Sequence, residues 1–152
     1  MADRVACVIY TKSRANDLPA TEQSLVLQGY RVDAFEITQD LAGDFISGND
    51  ASLPSVLRTC LEIAEVCVLL FDENCADVFC GIGGFASDRG CRVITVGGDP
   101  DDIPTELDDI SDGHVPSPEV DSFPDIIKGD PVRIKPNGEK APPRNPDRIK
   151  CQ

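Results

Sequence analysis

Runs of apolar residues recur along the chain and predict its strands. Nearly uninterrupted runs lie at residues 4–11, 66–71 and 91–96. Runs of this kind are typical of strands that helices cover on both faces of a parallel sheet. Residues 30–37 instead alternate between apolar and polar positions. This alternation predicts a strand with one less buried side, nearer an edge of the sheet.

Segments with helical features separate these strands. Residues 19–28 begin with a proline, which suits a first helical position, and Gly29 then favours a helix end. Residues 52–65 predict a second helix with Ser52 as its N-cap. Its apolar stripe comprises Leu53, Val56, Leu57, Cys60, Leu61 and Ala64. About a dozen residues that end at Gly90 leave room for a short crossover helix before the strand at 91–96.

The order of these elements predicts the fold. Strands and helices alternate, and a short helix at residues 105–110 and a brief strand near 113–116 follow. We therefore expect a doubly wound α/β fold, a flavodoxin- or Rossmann-like three-layer sandwich with a parallel sheet in the order 2-1-3-4-5. This α/β domain is expected over residues 1–117. Residues 118–152 contain seven prolines and little periodicity, so they predict an extended, basic C-terminal arm.

Composition indicates a globular protein away from membranes. The apolar share of 41% is adequate for a core, and no apolar stretch approaches the roughly 20 residues of a membrane helix. The N-terminus begins a strand almost at once and lacks a signal-peptide pattern, so we expect a cytoplasmic protein with no membrane partner. We expect the seven cysteines to be reduced thiols. Because the chain has no C-x-x-C motif and a single histidine, His114, we expect no metal site.

The net charge of −13 is unevenly distributed. Residues 99–125 contain ten acidic residues and no lysine or arginine, whereas residues 128–152 contain seven basic and three acidic residues. The part of the chain before the basic arm is acidic and does not attract the phosphates of nucleic acids, so we expect no nucleic-acid partner. We expect the basic arm to fold back on the acidic segment, and an acidic partner is the alternative.

Candidate ligand-binding residues follow the predicted strands. In open α/β sheets, ligands bind beyond the carboxyl ends of the strands. Thr11 and Ser13 follow the first strand and offer hydroxyls beside Lys12 and Arg14, which suits contact with a phosphate. Asp72 and Asn74 follow the third strand, and Asp40 lies in the long loop at residues 38–50. Either aspartate suits a ribose hydroxyl or work as a base, and the alternative for each is a solvated loop acid.

A glycine-rich motif lies in the crossover segment. Residues 81–86 fit G-x-G-x-x-A, but about nine residues separate the motif from the preceding strand. The main interpretation is close packing of the helix on the sheet. A dinucleotide site and a glycine-lined approach for another nucleotide are the alternatives. On the nucleotide interpretations the candidate contacts are Cys80, Gly81, Gly83 and Gly84.

A cysteine nucleophile is a further interpretation of this region. Cys75 and Cys80 lie near the candidate site, and a helix N-terminus can activate a thiol. His114 is the only imidazole that could assist either thiol.

The order of features resembles a Toll/interleukin-receptor-like (TIR-like) domain over residues 4–98. The resemblance lies in strand ends, a glycine–aromatic pair, an acidic glycine-containing loop and a cysteine-containing helix. The matching segments are residues 5–13, Gly29-Tyr30-Arg31-Val32, Asp40-Leu41-Ala42-Gly43, residues 66–74, Phe79-Cys80-Gly81-Ile82-Gly83 and residues 88–94. A weaker likeness is to nucleoside deoxyribosyltransferases, in which Gly84-Phe85-Ala86 matches the end of an E-x-G-x-A element.

The chain departs from both families at the catalytic glutamate. That position is Gly83 on the TIR-like alignment and Ile82 on the other, and neither residue can perform glycosidic chemistry. The resemblance therefore implies a nucleotide-binding or protein-assembly module without catalytic residues and without an obligatory cofactor. NAD or another nucleotide would be its ligand, and a second copy or another protein its partner. The alternative is an enzyme that cleaves or transfers an N-glycosidic or nucleotide bond with a relocated carboxylate, Asp72 or Asp40.

Overall fold

A computed structural model of the protein describes residues 4–37, 55–129 and 132–141. The described strands form one five-stranded sheet in which all neighbours are parallel. The observed order, 2-1-3-4-5, confirms the predicted doubly wound α/β fold and the edge position of the second strand. The strands are β1 (Arg4–Tyr10), β2 (Tyr30–Glu36), β3 (Val66–Leu70), β4 (Arg92–Val96) and β5 (Gly113–Val115).

Helices cover both faces of the sheet. They are α1 (Leu18–Leu27), α2 (Ser55–Ile63), α3 (Ala76–Asp88), α4 (Thr105–Ile110) and α5 (Phe123–Lys128). Short 3-10 helices at Lys12–Asp17, Glu73–Cys75 and Pro100–Asp102 follow β1, β3 and β4. As the sequence predicts, α1 has a proline in its first turn and Gly29, with a φ of 91°, just beyond its end. No helix in the described part of the chain is both long and apolar enough to span a bilayer.

Both faces of β3 are covered, which explains its uninterrupted apolar sequence. All five of its residues are buried. Alternate residues of the sheet pack against α2, α3 and α4 on one face, where Leu61 and Phe79 are fully buried. The other face packs against α1 and α5, where Leu25 and Phe123 are fully buried. The predicted central, inaccessible strand is therefore confirmed.

The segment after residue 117 contains a helix that the sequence did not predict. Phe123 and Ile126 of α5 are completely buried against the sheet. The Arg92 guanidinium of β4 donates hydrogen bonds to the carbonyls of Ile126 and Ile127 at the end of this helix. With six residues, α5 is too short to show helical periodicity. Helix α5, in the predicted arm, therefore packs on the sheet, and residues 130, 131 and 142–152 of that arm lie outside the described residues.

A disulfide joins β1 to α2 through Cys7 and Cys60. The expectation of reduced thiols is therefore wrong for this pair. Both cysteines belong to the buried apolar cluster on one face of the sheet. Their 53-residue separation in sequence gave no sign that they meet in the fold. Cys67, Cys75, Cys80 and Cys91 are free thiols.

Candidate functional site

The connections that follow β1 and β3 leave the sheet on opposite faces. Helix α1 follows β1 and packs on one face, whereas α3 follows β3 and packs on the other. Because β1 and β3 are neighbours in the sheet, their carboxyl ends border a topological switch point. Doubly wound sheets bind their ligands at this position.

A cleft of about 380 Å³ opens at the switch point. Its walls come from the loops that follow β1, β3 and β4. The lining residues are Ser13, Arg14, Phe71, Asp72, Glu73, Gly97, Gly98, Asp102 and Ile103. This volume lies near the lower end of the range of small-molecule sites, roughly 300–1,000 Å³.

Asp72 joins the loops that follow β1 and β3. Its Oδ2 accepts hydrogen bonds from Thr11 Oγ1 at 2.8 Å and from Ser13 Oγ at 2.5 Å. Its Oδ1 accepts a hydrogen bond from the backbone N–H of Asn74 at 3.0 Å. These donors lower the pKa of Asp72, and the Ser13 hydroxyl makes the largest contribution. Asp72 is therefore an anion at neutral pH that fixes two walls of the cleft and is poorly suited to donate a proton.

Arg14 brings a cation to the cleft wall. Its Nη2 lies 2.8 Å from Oδ2 of Asp17, whereas its Nε is buried and has no hydrogen-bond partner among the described residues. The guanidinium lies against Gly97, where an added Cβ would stand 2.6 Å from Nη2. Gly97 also has a φ of 126°, a value that residues other than glycine rarely adopt. A glycine at this position therefore allows Arg14 to occupy the wall.

Four predicted site residues come together where β1 and β3 end, and two of them, Ser13 and Asp72, line the cleft. The hydrogen-bond network around Asp72 connects Thr11, Ser13 and Asn74. Asp40 lies outside the described residues. The other candidates lie along α3 and do not line the cleft; they are Cys80, Gly81, Gly83 and Gly84.

Gly83 supports the packing interpretation of the glycine motif. It is buried, and an added Cβ would stand 2.8 Å from Leu107 Cδ1 of α4 and 3.4 Å from Leu69 Cδ1 of β3. The small residue therefore lets α3 approach α4 and the sheet closely. This contact faces the core rather than the cleft.

The two cysteine candidates do not have activated thiols. Burial raises the pKa of Cys75, and the Asp72 carboxylate raises it further. Burial also raises the pKa of Cys80, with a smaller effect from Glu106. The ring nitrogens of His114 lie instead at Thr95 Oγ1 and at the carbonyl oxygen of Gly98. The thiolate form, which acts as the nucleophile, is therefore disfavoured at both cysteines.

Several cleft residues were not among the predicted site residues. They are Arg14, Phe71, Glu73, Gly97, Gly98, Asp102 and Ile103. Arg14 lies in the turn after β1, beside the predicted residues Thr11 and Ser13. Gly97 and Gly98 directly follow β4, the neighbour of β3. Their position after a predicted strand would have sufficed to select them as candidate site residues. Asp102 and Ile103 gave no such signal, because a five-residue segment separates them from β4.

Within the described ranges, no group of three or more His, Cys, Asp and Glu side chains is placed to hold a metal ion.

Comparison of the chain with protein-family models, curated proteins and solved structures finds no match. The resemblance to TIR-like domains and to nucleoside deoxyribosyltransferases therefore stays a prediction.

Proposed function

We propose that the cleft binds a nucleotide-like small molecule, a mononucleotide with one phosphate and ribose hydroxyls. The supporting observation is that the switch point combines a cation, Arg14, with carboxylates at the ends of β3 and β4. Arg14 lines the cleft and its side chain is partly exposed, so its guanidinium can donate to a phosphate oxygen. Asp72 and Asp102 offer acceptors for ribose hydroxyls, a role that an acidic residue has in many dinucleotide-binding folds.

The charge of the cleft favours a single phosphate. Its three carboxylates, on Asp72, Glu73 and Asp102, outnumber the one guanidinium. Each further phosphate adds repulsion from these carboxylates, so affinity falls from the monophosphate to the triphosphate. The small volume of the cleft likewise favours a mononucleotide over a dinucleotide such as NAD.

We propose binding without turnover because the crossover helix has no acid at Ile82 or Gly83, the two positions that match the glutamate of the resembled families. Ile82 is completely buried, and Gly83 packs against Leu107 of α4. Asp72 has a lowered pKa, so it is a poor general acid.

The second candidate function, cleavage of an N-glycosidic bond, is favoured by one observation. The exposed carboxylate of Glu73 lines the cleft, where it could stabilise an oxocarbenium-like centre.

Isothermal titration calorimetry with adenosine, AMP, ATP and NAD tests this proposal. We expect wild type to bind AMP more tightly than ATP. Arg14→Gln should weaken AMP binding by about tenfold or more, since a charge-assisted hydrogen bond contributes roughly 1.5–3 kcal/mol. The same variant should change adenosine binding far less. Arg31→Gln is the matched control, because Arg31 also lies close to an aspartate, Asp33 at 3.7 Å, but is on the edge strand β2 and does not line the cleft.

Two outcomes would contradict the proposal. One is that none of the four compounds binds at millimolar concentration. The other is that Arg14→Gln and Arg31→Gln weaken AMP binding equally. Release of adenine or nicotinamide during incubation, abolished by Glu73→Gln, would instead support the enzymatic alternative.

A further inference from the structure

One wall of the cleft is a glycine-containing loop that is anchored at both of its ends. This cleft loop, residues 97–103, contributes Gly97, Gly98, Asp102 and Ile103 to the lining. Gly97 and Gly98 both have positive φ values, 126° and 67°, and glycine loses the most conformational freedom on folding. The N–H of Gly97 donates to the carbonyl of Val115, and the side chain of Ile103 is buried in the core. The residues between these two anchors are held by further contacts with the fold.

His114 supplies one such contact. The residue lies on β5 and is completely buried. Its Nε2 lies 2.9 Å from the carbonyl oxygen of Gly98, and its Nδ1 lies 2.7 Å from Thr95 Oγ1. A carbonyl can only accept, so Nε2 carries the proton, and in the neutral ring Nδ1 accepts from the Thr95 hydroxyl. Thr95 thus orients the imidazole so that its N–H is directed at the cleft loop.

The C-terminal strap, residues 132–141, lies beside the same histidine. The backbone N–H of His114 donates to the carbonyl of Val132 at 3.0 Å, and the N–H of Ile134 donates to the carbonyl of His114 at 2.9 Å. The strap therefore continues the sheet beyond β5 with a parallel bridge. Ile134 is buried in the core, which fixes the strap in register.

Arg133 of the strap reaches the cleft loop from outside. Its Nη2 donates to the carbonyl of Pro100 at 3.3 Å, and its Nε lies 3.2 Å from Oδ1 of Asp108 on α4. The side chains of Arg133 and Asp108 are only 14% and 4% exposed, so solvent screens this pair weakly. His114 and Arg133 therefore hold two carbonyls of one loop, those of Gly98 and Pro100.

We propose that His114 is a positioning residue for the cleft and that the strap, through Arg133, holds the same loop. An apolar residue would fill the buried site of His114 without the desolvation of two ring nitrogens. The imidazole instead directs one of its two hydrogen bonds at the cleft wall. The consequence for ligand binding rests on the proposed function. The positioning itself can be measured without a ligand.

Hydrogen–deuterium exchange of the full-length protein tests the positioning. The variants are His114→Asn and His114→Gln, which both remain neutral. The glutamine amide can reach the place of Nε2, whereas the shorter asparagine amide stays near the place of Nδ1. We expect about tenfold faster exchange of cleft-loop amides in His114→Asn, while β1 and β3 amides keep their wild-type rates. His114→Gln should restore cleft-loop protection to near the wild-type level.

Equal acceleration in the cleft loop, β1 and β3, without rescue by glutamine, would overturn the inference and assign His114 to core packing. If His114→Asn does not fold, Arg133→Gln gives the second test. We expect faster exchange confined to the cleft loop in that variant, and unchanged cleft-loop exchange would overturn the role of the strap.

Titration with AMP separates this inference from the proposed function. If wild type binds AMP, His114→Asn should weaken binding about tenfold and His114→Gln should recover it. AMP binding that His114→Asn leaves unchanged would overturn the link between the loop and the ligand. If wild type binds no AMP, the proposed function fails, and the exchange experiment alone decides whether His114 positions the loop.

Discussion

Two adjacent glycines on α3 should respond in opposite ways to the same substitution. Gly83 is buried, and an added Cβ would stand 2.8 Å from Leu107 Cδ1 and 3.2 Å from Ile110 Cδ1 of α4. At Gly84, no atom from outside the adjoining turns of α3 lies within 4 Å of the added Cβ. Because both residues are inside the same helix, Gly83→Ala and Gly84→Ala gain the same helix propensity. The difference between the two variants therefore isolates packing against α4.

The expected magnitudes follow from these distances. Replacing glycine with alanine inside a helix stabilises it by about 1 kcal/mol, and Gly84→Ala should show this gain in full. At Gly83, the methyl group must displace Leu107, which is completely buried. Overpacking of this kind costs about 1–3 kcal/mol. Gly83→Ala should therefore lower the free energy of unfolding by about 1 kcal/mol, a difference of about 2 kcal/mol between the variants.

Urea denaturation of both variants measures this difference. We expect the transition midpoints to move in opposite directions while the denaturant slope stays constant. In thermal melts, the Tm values should differ by about 4–8 °C for a chain of this length. Neither variant should change AMP binding, because neither glycine lines the cleft.

Equal stabilisation by both substitutions would refute the packing of α3 on α4. A Gly84→Ala protein that is stable but no longer binds AMP would revive the interpretation of the motif as a glycine-lined nucleotide approach. The loss of AMP binding would move the candidate site toward α3.

Two further predictions concern the disulfide and pH. A Cys7→Ala/Cys60→Ala variant should lose about 4 kcal/mol of stability, because the disulfide closes a long loop. If alkylation without reductant labels all cysteines, the cross-link is disproved. Burial lowers the pKa of His114, so below pH of about 6.5 the unfolded chain takes up a proton that the folded protein excludes. The free energy of unfolding should therefore fall as the pH drops from 7.5 to 5.5. His114→Gln should flatten this dependence, and an unchanged slope in that variant would exclude His114 as the cause.

The sequence predicted the sheet well because a buried parallel strand leaves a local signature. β3 is covered on both faces, so each of its residues must be apolar, and the run can be recognised without knowledge of its neighbours. Apolar and polar residues alternate along β2 because this strand lies at an edge of the sheet. The alternation therefore also indicates the position of β2 in the strand order. The polar residues at the ends of β1 and β3 could be predicted to meet for the same reason, since parallel strands end at one edge.

Features that depend on distant contacts left no such signature. The short helix α5 is stabilised by burial against the sheet and by Arg92, 34 residues away from Ile126. His114 and the strap hold the cleft loop at Gly98 and Pro100, and these contacts join segments separated in sequence. Arg14 could be noted in its turn, but its place depends on the absence of a side chain at Gly97.

The packing of α3 also determines where any chemistry in this domain could occur. A glutamate at Gly83 would place its carboxylate among Leu107, Ile110 and Leu69, where an unpaired charge is strongly destabilising. A Gly83→Glu variant would therefore test folding rather than catalysis. The carboxylates that do face the cleft, on Asp72, Glu73 and Asp102, lie in the loops that follow β3 and β4. Of the two that follow β3, Asp72 already accepts three hydrogen bonds, whereas Glu73 is exposed. A bond-cleaving activity of this cleft would therefore depend on Glu73 or Asp102 and not on the crossover helix.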